Sequence, residues 1–291
     1  MNTKRVGVLA VLGAAVMWAL EPNFAKLAYA SAGVLETSAV RTITVVPIAL
    51  AWLVMTRSSL RLGPRWPAMV YVGLMAAAGA DVIYLWALSL ADYPVVNAVL
   101  IGHLQPVFVV LMGRILLKAE RLNRLDYMGI GIMVVSSLLV ATRTWEHLRR
   151  LQFGVAGDGL VLVATLLWAS TTLVARRYLR GLSAGTVTFW RFAIGAAVLW
   201  AVLVIRSRPV VLNGYQFMVG VVVAVGTLLY YVGLNRIKAA QVSAIELSSP
   251  FFAAVLAFLV HGERLTVMQA AGMILLAGGI ACLARRETVL D

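Results

Sequence analysis

The sequence predicts an all-α membrane protein of ten transmembrane helices, arranged as two inverted five-helix repeats. Three observations predict it: an apolar composition, ten apolar stretches of membrane-spanning length, and a set of residues that recurs at a near-constant offset. Of 291 residues, 62% are hydrophobic and 13% charged, and the mean hydropathy is +0.92, a balance that a water-soluble domain has no use for.

A helix crosses a bilayer with about 20 apolar residues, because its backbone groups cannot be left unpaired in hydrocarbon. Ten stretches meet that length approximately: Val6 to Ala28, Val34 to Met55, Ala68 to Leu90, Val95 to Leu117, Leu125 to Ala141, Val155 to Ala175, Ala184 to Ile205, Tyr215 to Leu234, Ala239 to Val260 and Leu265 to Leu283. They are spans 1 to 10 below. The gaps between them are too short for a soluble domain. Lys4 and Arg5 before an apolar run, with Ala28-Tyr29-Ala30 after it, resemble a cleavable leader. Glu21, Pro22 and Lys26 within that run argue that it is retained, as does its recurrence later in the chain.

The formal net charge of +13 sits in the short gaps without aromatic interleaving, which favours topology signals over nucleic-acid binding. With the N-terminus cytoplasmic, fifteen of the 25 lysines and arginines fall in inner gaps and ends, and six in outer gaps. Both termini are therefore expected inside, in a multi-pass protein of a bacterial inner membrane. The single cysteine, Cys282, excludes an intrachain disulfide and a cysteine-based metal site.

Trp18 and Trp168 stand 150 residues apart, as do Arg41 and Arg191, and Ala25-Lys26 matches Ala175-Arg176 at the same offset. Pro106 matches Pro250 at 144, and Glu120-Arg121-Leu122 with Gly129 matches Glu263-Arg264-Leu265 with Gly272 at 143. The repeat is thus five spans long, residues 1–145 and 146–291. Five is odd, so the second copy enters the membrane from the opposite side, an arrangement suited to alternating access about a midplane solute site. A duplicated bundle without a transport cycle has the same signature.

These residues carry a resemblance. A first span with Trp18, an arginine within span 2, a proline in span 4, and Glu-Arg-Leu ahead of a span-5 glycine, all duplicated, resemble the drug/metabolite transporter superfamily, and within it the ten-helix EamA-type exporters. The likeness covers nearly the whole chain. It extends to the YddG-like amino-acid exporters, although no motif here is diagnostic of them. The resemblance implies a basket of helices around a central cavity, spans 5 and 10 at the periphery, and solute efflux from the cytoplasm. Glu21 faces Thr171 at its repeat position, so any role for that acid is asymmetric.

Charged groups inside spans cost about 3 kcal/mol or more at the bilayer centre and must face a cavity or a partner. Glu21, Arg41, Asp81, His103, Arg191 and Glu246 meet that description, whereas Lys26, Arg114 and Asp158 lie near span ends, where snorkelling would free them. Glu21 shares a helical face with Trp18 and precedes Pro22, which removes a backbone donor and can open the helix. It is expected to bind a substrate ammonium group, or to pair with Lys26 or Arg41. Asp81 and Tyr84 share a face in span 3 with Trp86 near, a stripe expected to face the cavity; the alternative for Asp81 is a pair with Arg41 or Arg191. His103, beside Gln105 and Pro106, is expected at the substrate or as a proton carrier, or else as a hydrogen-bonded core residue. Glu246 is the acid favoured for proton coupling, because a carboxylate in apolar surroundings exchanges protons near neutral pH; a bridge to Arg191 is its alternative.

Trp168, Tyr230 and Tyr231 bring rings suited to a ligand cavity or to the membrane interface. The substrate-binding set is therefore Trp18, Glu21, Asp81, Tyr84, His103, Trp168 and Tyr230, with Arg41 and Arg191 as charge partners. Glu120 and Glu263 are expected to cap spans 5 and 10. No catalytic residue, metal ligand or cofactor is expected, since no Walker A, His-Glu-x-x-His or Ser-His-Asp set is present.

The expectation is a secondary transporter that exports small organic solutes by alternating access, amino acids (aromatic or other neutral) first among them, with proton coupling. Efflux of drug-like cations or other metabolites stays open, as does a scaffold or sensor that moves nothing. The partners expected are the solute and membrane lipid, without nucleic acid or an obligate protein.

Overall fold

The computed structural model describes residues 3–117, 124–142, 144–149, 155–179, 181–207, 209–234, 236, 245–246 and 248–284. These residues form helices and connections: α1 Thr3–Ala28, α2 Val34–Met55, α3 Gly63–Ser89, α4 Val95–Gly102, α5 Gln105–Leu117, α6 Arg124–Thr142, α7 Trp145–Arg149, α8 Ala156–Tyr178, α9 Ala184–Ile205, α10 Gly214–Leu234, α11 Ser248–His261 and α12 Val267–Ala284. Seven helical segments among them are long and apolar enough to cross a membrane. Spans 5, 9 and 10 are represented by shorter apolar helices, Tyr127–Val140, Ser248–His261 and Val267–Gly279. Most of the expected start of span 9, residues 239–244 and 247, lies outside the described residues, as does Glu120. The chain is an all-α, multi-pass membrane protein.

The packing is reciprocal between the halves. Helix α1 (span 1) rests on α10 (span 8), and α8 (span 6) rests on α3 (span 3). Span 4 packs on span 6 as span 9 packs on span 1, while α2 meets α9 and α6 meets α12. Each pairing thus has its counterpart on exchange of the two halves, or maps onto itself. The α6–α12 pair turns Val134, Val135, Leu138 and Ile274 outward, exposed, as side chains facing lipid do.

Three local features differ from the sequence expectation. Pro22 does not open α1, which runs through it. The Asn23 side chain donates to the Ala19 carbonyl in the preceding turn at 2.8 Å, so its amide is paired within the helix. Span 4 is not one helix: it breaks at His103 and Leu104, just ahead of α5, where Pro106 occupies a first-turn position with no intrahelical donor to lose. Span 3 contains a π-helical segment, Gly73–Ala80, ending at Asp81; such segments are rare and concentrate at functional sites.

The small side chains of that π segment let α9 come close. A Cβ on Gly195 would stand 2.6 Å from the Ala77 Cβ, and one on Gly73 would stand 2.7 Å from the Ile194 Cβ. Gly195→Ala is therefore expected to force the two backbones apart and to lower stability by about 1–3 kcal/mol. Gly278→Ala, where nothing lies within 4 Å of the new Cβ, is expected to be neutral or to gain up to about 1 kcal/mol in helix propensity. Thermal unfolding of both variants in detergent checks the contrast; equal effects would mean that the α3–α9 approach is not tight.

Candidate functional site

Close contact between α3 and α9 sets the end of the π segment against the middle of α9, while α2 brings its own arginine from the other side. Arg41 Nη2 lies 2.8 Å from Glu21 Oε1, and Arg41 Nη1 lies 2.9 Å from Asp81 Oδ2. Arg191 Nη2 reaches both Asp81 oxygens at 3.2 Å, and Trp168 Nε1 donates to Asp81 Oδ1 at 2.7 Å. The four groups come from α1, α2, α3 and α9, two acids and two arginines, so their formal charges cancel. Pairing of this kind is what lets ionised groups stay in an apolar interior. Phe192 lies beneath both guanidinium groups, with its centroid 5.6 Å from Arg41 Cζ and 5.0 Å from Arg191 Cζ.

Asp81 is 1% exposed and its oxygens are taken up by two arginines and an indole. Glu21 pairs with Arg41, whereas Lys26 goes elsewhere. Around the cluster stand two aromatic pairs, each joining the halves: Trp18 with Tyr230, ring centroids 5.3 Å apart, and Tyr84 with Trp168, also 5.3 Å apart. Tyr231 lies edge-on to Tyr230 at 5.4 Å. Trp86 is 52% exposed and belongs to the outer face of α3, not to the stripe of Asp81 and Tyr84; five residues of helix rotation separate it from Asp81.

The span-4 break lies next to this group. A Cβ on Gly102 would be 3.9 Å from Trp168 Cζ3, and Gln105 Nε2 donates to Thr172 Oγ1 at 2.9 Å. His103 Nδ1 is 2.7 Å from the Val99 carbonyl, and its ring also meets the backbone of Glu246. His103 and Glu246 are thereby neighbours. Glu246 forms no ion pair among the described residues; Arg191, its expected alternative partner, is held by Asp81.

A second polar cluster lies at one end of the bundle, and the sequence reading missed it. Lys26 Nζ is 2.7 Å from Glu263 Oε1, and the backbone N–H of Val95, the first residue of α4, donates to Glu263 Oε2 at 2.9 Å. Glu263 thus caps α4 and not its own following helix. That helix, α12, is capped by Thr266 and Gln269: Thr266 N donates to Gln269 Oε1 at 2.9 Å and Gln269 N to Thr266 Oγ1 at 3.2 Å, a capping box readable as Thr-x-x-Gln before an apolar run.

Asp158, expected to snorkel, is 4% exposed and accepts from Tyr93 Oη at 2.9 Å, Asn97 Nδ2 at 3.1 Å and Val155 N at 3.1 Å. Gln269 Nε2 donates to Asn97 Oδ1 at 2.7 Å, completing a tie among α4, α8 and α12.

Comparison with known proteins follows this geometry. The model of the EamA-like transporter family matches the chain twice, over residues 5–142 and 155–285. The chain is 26% identical over 230 residues to the uncharacterized transporter sll1164 of Synechocystis sp., a match covering 74% of this chain and 64% of that protein's length. It is 28% identical over 211 residues to the riboflavin transporter ImpX of Fusobacterium nucleatum, covering 65% of this chain and 67% of that one. A solved crystal structure superposes with a TM-score of 0.68 at 19% identity, over 97% of this chain and 99% of the other, a likeness of fold. Two matched repeats account for the reciprocal packing and for the duplicated tryptophans and arginines: the chain belongs to the EamA-like transporter family.

Proposed function

We propose that the chain is a secondary transporter that exports small organic solutes, amino acids first among them, by alternating access. In this reading ten transmembrane helices form two inverted repeats, residues 1–145 and 146–291, around a central cavity in a bacterial inner membrane, with both termini cytoplasmic. The observation that carries the reading is the neutral Glu21–Arg41–Asp81–Arg191 cluster at the junction of the halves, flanked by the Trp18–Tyr230 and Tyr84–Trp168 pairs. Charges of both signs beside aromatic faces suit a small amphoteric solute with a ring.

The roles differ from group to group. Asp81 orders the two arginines and the Trp168 indole. Trp18, Tyr84, Trp168 and Tyr230 supply faces for the solute, with Glu21 and His103 at its polar end. Glu246, partly buried and without an ion pair among the described residues, is the proton-coupling acid. A second reading, a flat heteroaromatic solute, is favoured by the aromatic pairs and by the name of the Fusobacterium relative.

Counterflow in proteoliposomes tests both, with labelled amino acids and riboflavin, with and without an imposed pH gradient. Saturable amino-acid flux is expected, and Trp18→Ala is expected to weaken apparent affinity by about tenfold, the scale of one lost aromatic contact. Glu246→Gln is expected to keep exchange but to lose the part driven by the gradient. Riboflavin flux alone would favour the second reading. Absence of flux for every solute, from folded protein, would overturn both.

A further inference from the structure

We propose that Arg191 is the anchor for a carboxylate on the transported solute, filling a place that an internal acid fills in the other half of the molecule. The inference rests on the transporter reading above and goes beyond it by assigning an anion site.

Arg41 and Arg191 occupy equivalent positions of the repeat, 150 residues apart, yet their surroundings differ. Arg41 holds two carboxylates, at 2.8 and 2.9 Å, and its side chain is 4% exposed. Among the described residues Arg191 shares only Asp81, at 3.2 Å, and its side chain is 24% exposed. The residue that supplies the second acid to Arg41 is Glu21. Its repeat equivalent, again 150 residues on, is Thr171, a shorter neutral side chain whose hydroxyl donates to the Trp168 carbonyl at 2.9 Å. The second half therefore has the cation and lacks the anion.

Two further observations point to a ligand there. Arg191 Nε is buried without a hydrogen-bond partner among the described residues, and a buried guanidinium donor left unpaired calls for an acceptor. Arg41 Nε is also without one, but the charge of Arg41 is already met by two carboxylates. The rings around Arg191 suit an organic anion: Phe192 lies 5.0 Å beneath it, and Tyr231 lies within reach of its charge. A fork of planar donors beside aromatic faces matches a carboxylate attached to a ring-bearing solute.

Because the four protein charges already cancel, an entering carboxylate adds one negative charge. The solute class is therefore a zwitterion, whose ammonium group restores neutrality, or a monocarboxylate that enters with a proton.

Thr171→Glu tests the proposal by installing the missing acid, and it does not require removing an arginine on which folding depends. Binding would be read as solute-dependent thermal stabilisation of purified protein, with tryptophan, tryptophanamide, indole-3-acetate and riboflavin as probes. Wild type is expected to bind tryptophan at least tenfold more tightly than tryptophanamide. Thr171→Glu adds one negative charge to the cluster and is expected to unfold somewhat earlier than wild type yet remain folded, while losing at least tenfold in tryptophan affinity, and Arg191→Lys, which keeps the charge, is expected to lose affinity in the same order of probes. Indole-3-acetate binding that Thr171→Glu abolishes, without tryptophan binding, would uphold the anion site and overturn the amino-acid reading. Unchanged tryptophan affinity in a folded Thr171→Glu protein, equal binding of tryptophanamide, or binding of riboflavin alone would overturn the anion site.

Discussion

Asp81→Asn is expected to be the most damaging conservative substitution in the chain, lowering stability by about 3–5 kcal/mol, the cost of breaking a buried charge pair from one side. The carboxylate accepts from Arg41, from Arg191 and from the Trp168 indole. An amide retains one acceptor and turns a donor toward a guanidinium group. The four-charge cluster then carries a net positive charge in apolar surroundings, and Arg191 loses its carboxylate. The thermal midpoint in detergent is expected to fall by roughly 6–20 °C on the usual scaling for chains of this size, read at a fixed scan rate because membrane proteins unfold irreversibly.

Arg191→Gln alone is expected to cost less, since Arg41 still compensates Asp81. The double variant Asp81→Asn with Arg191→Gln leaves the neutral pair of Glu21 and Arg41, and is expected to be more stable than Asp81→Asn. If the double loss equalled the sum of the single losses within about 0.5 kcal/mol, the two residues would not be coupled and the cluster would not act as a unit.

The membrane class, the apolar segments and the repeat were legible because each is written in one dimension: run length, composition, and identity at a fixed offset. The intramembrane charges were legible as a set for the same reason. Their pairing was not. Asp81 with Arg41 and Asp81 with Arg191 were alternatives on the sequence, and the structure joins both, since spacing along the chain carries no information on which helices meet.

Positions at span ends misled for a related reason. Lys26 and Asp158 looked free to snorkel, but the end of a span faces a neighbouring helix as often as water, and both are held there. Glu263 read as a cap for span 10 because it precedes it, while Thr266 and Gln269 take that task. Asn97, a polar residue inside the run Val95 to Ile101, was the available sign of a buried polar tie. The π segment left no such sign, since Gly73–Ala80 reads equally well as ordinary helix.

Glu263→Gln is expected to open the end of the bundle at which Lys26 lies. Glu263 ties the end of α1, through Lys26, to the start of α4, through the Val95 N–H. Both partners belong to the first half, and the acid to the second. In the proposed alternating-access cycle such a tie must break each time that end opens, so it biases the two states and adds little to either helix. Glutamine keeps an acceptor for Val95 but surrenders the ion pair, roughly 0.2–1 kcal/mol for partly exposed groups, and the charge at the α4 N-terminus, roughly 0.3–1 kcal/mol. Together these shift the balance toward the open state by about two- to thirtyfold.

A cysteine at Ala25, which is 0% exposed here, reports the shift in a Cys282→Ser background through its rate of labelling by a membrane-impermeant maleimide. Glu263→Gln is expected to raise that rate by the same factor, with reagent on one side of the membrane only. Lys26→Met is expected to raise it less, because the cap on α4 survives, and adding it to Glu263→Gln should contribute nothing further. Unchanged labelling in Glu263→Gln would reduce the pair to a surface bridge, and would leave closure of this end to the buried tie of Tyr93, Asn97, Asp158 and Gln269.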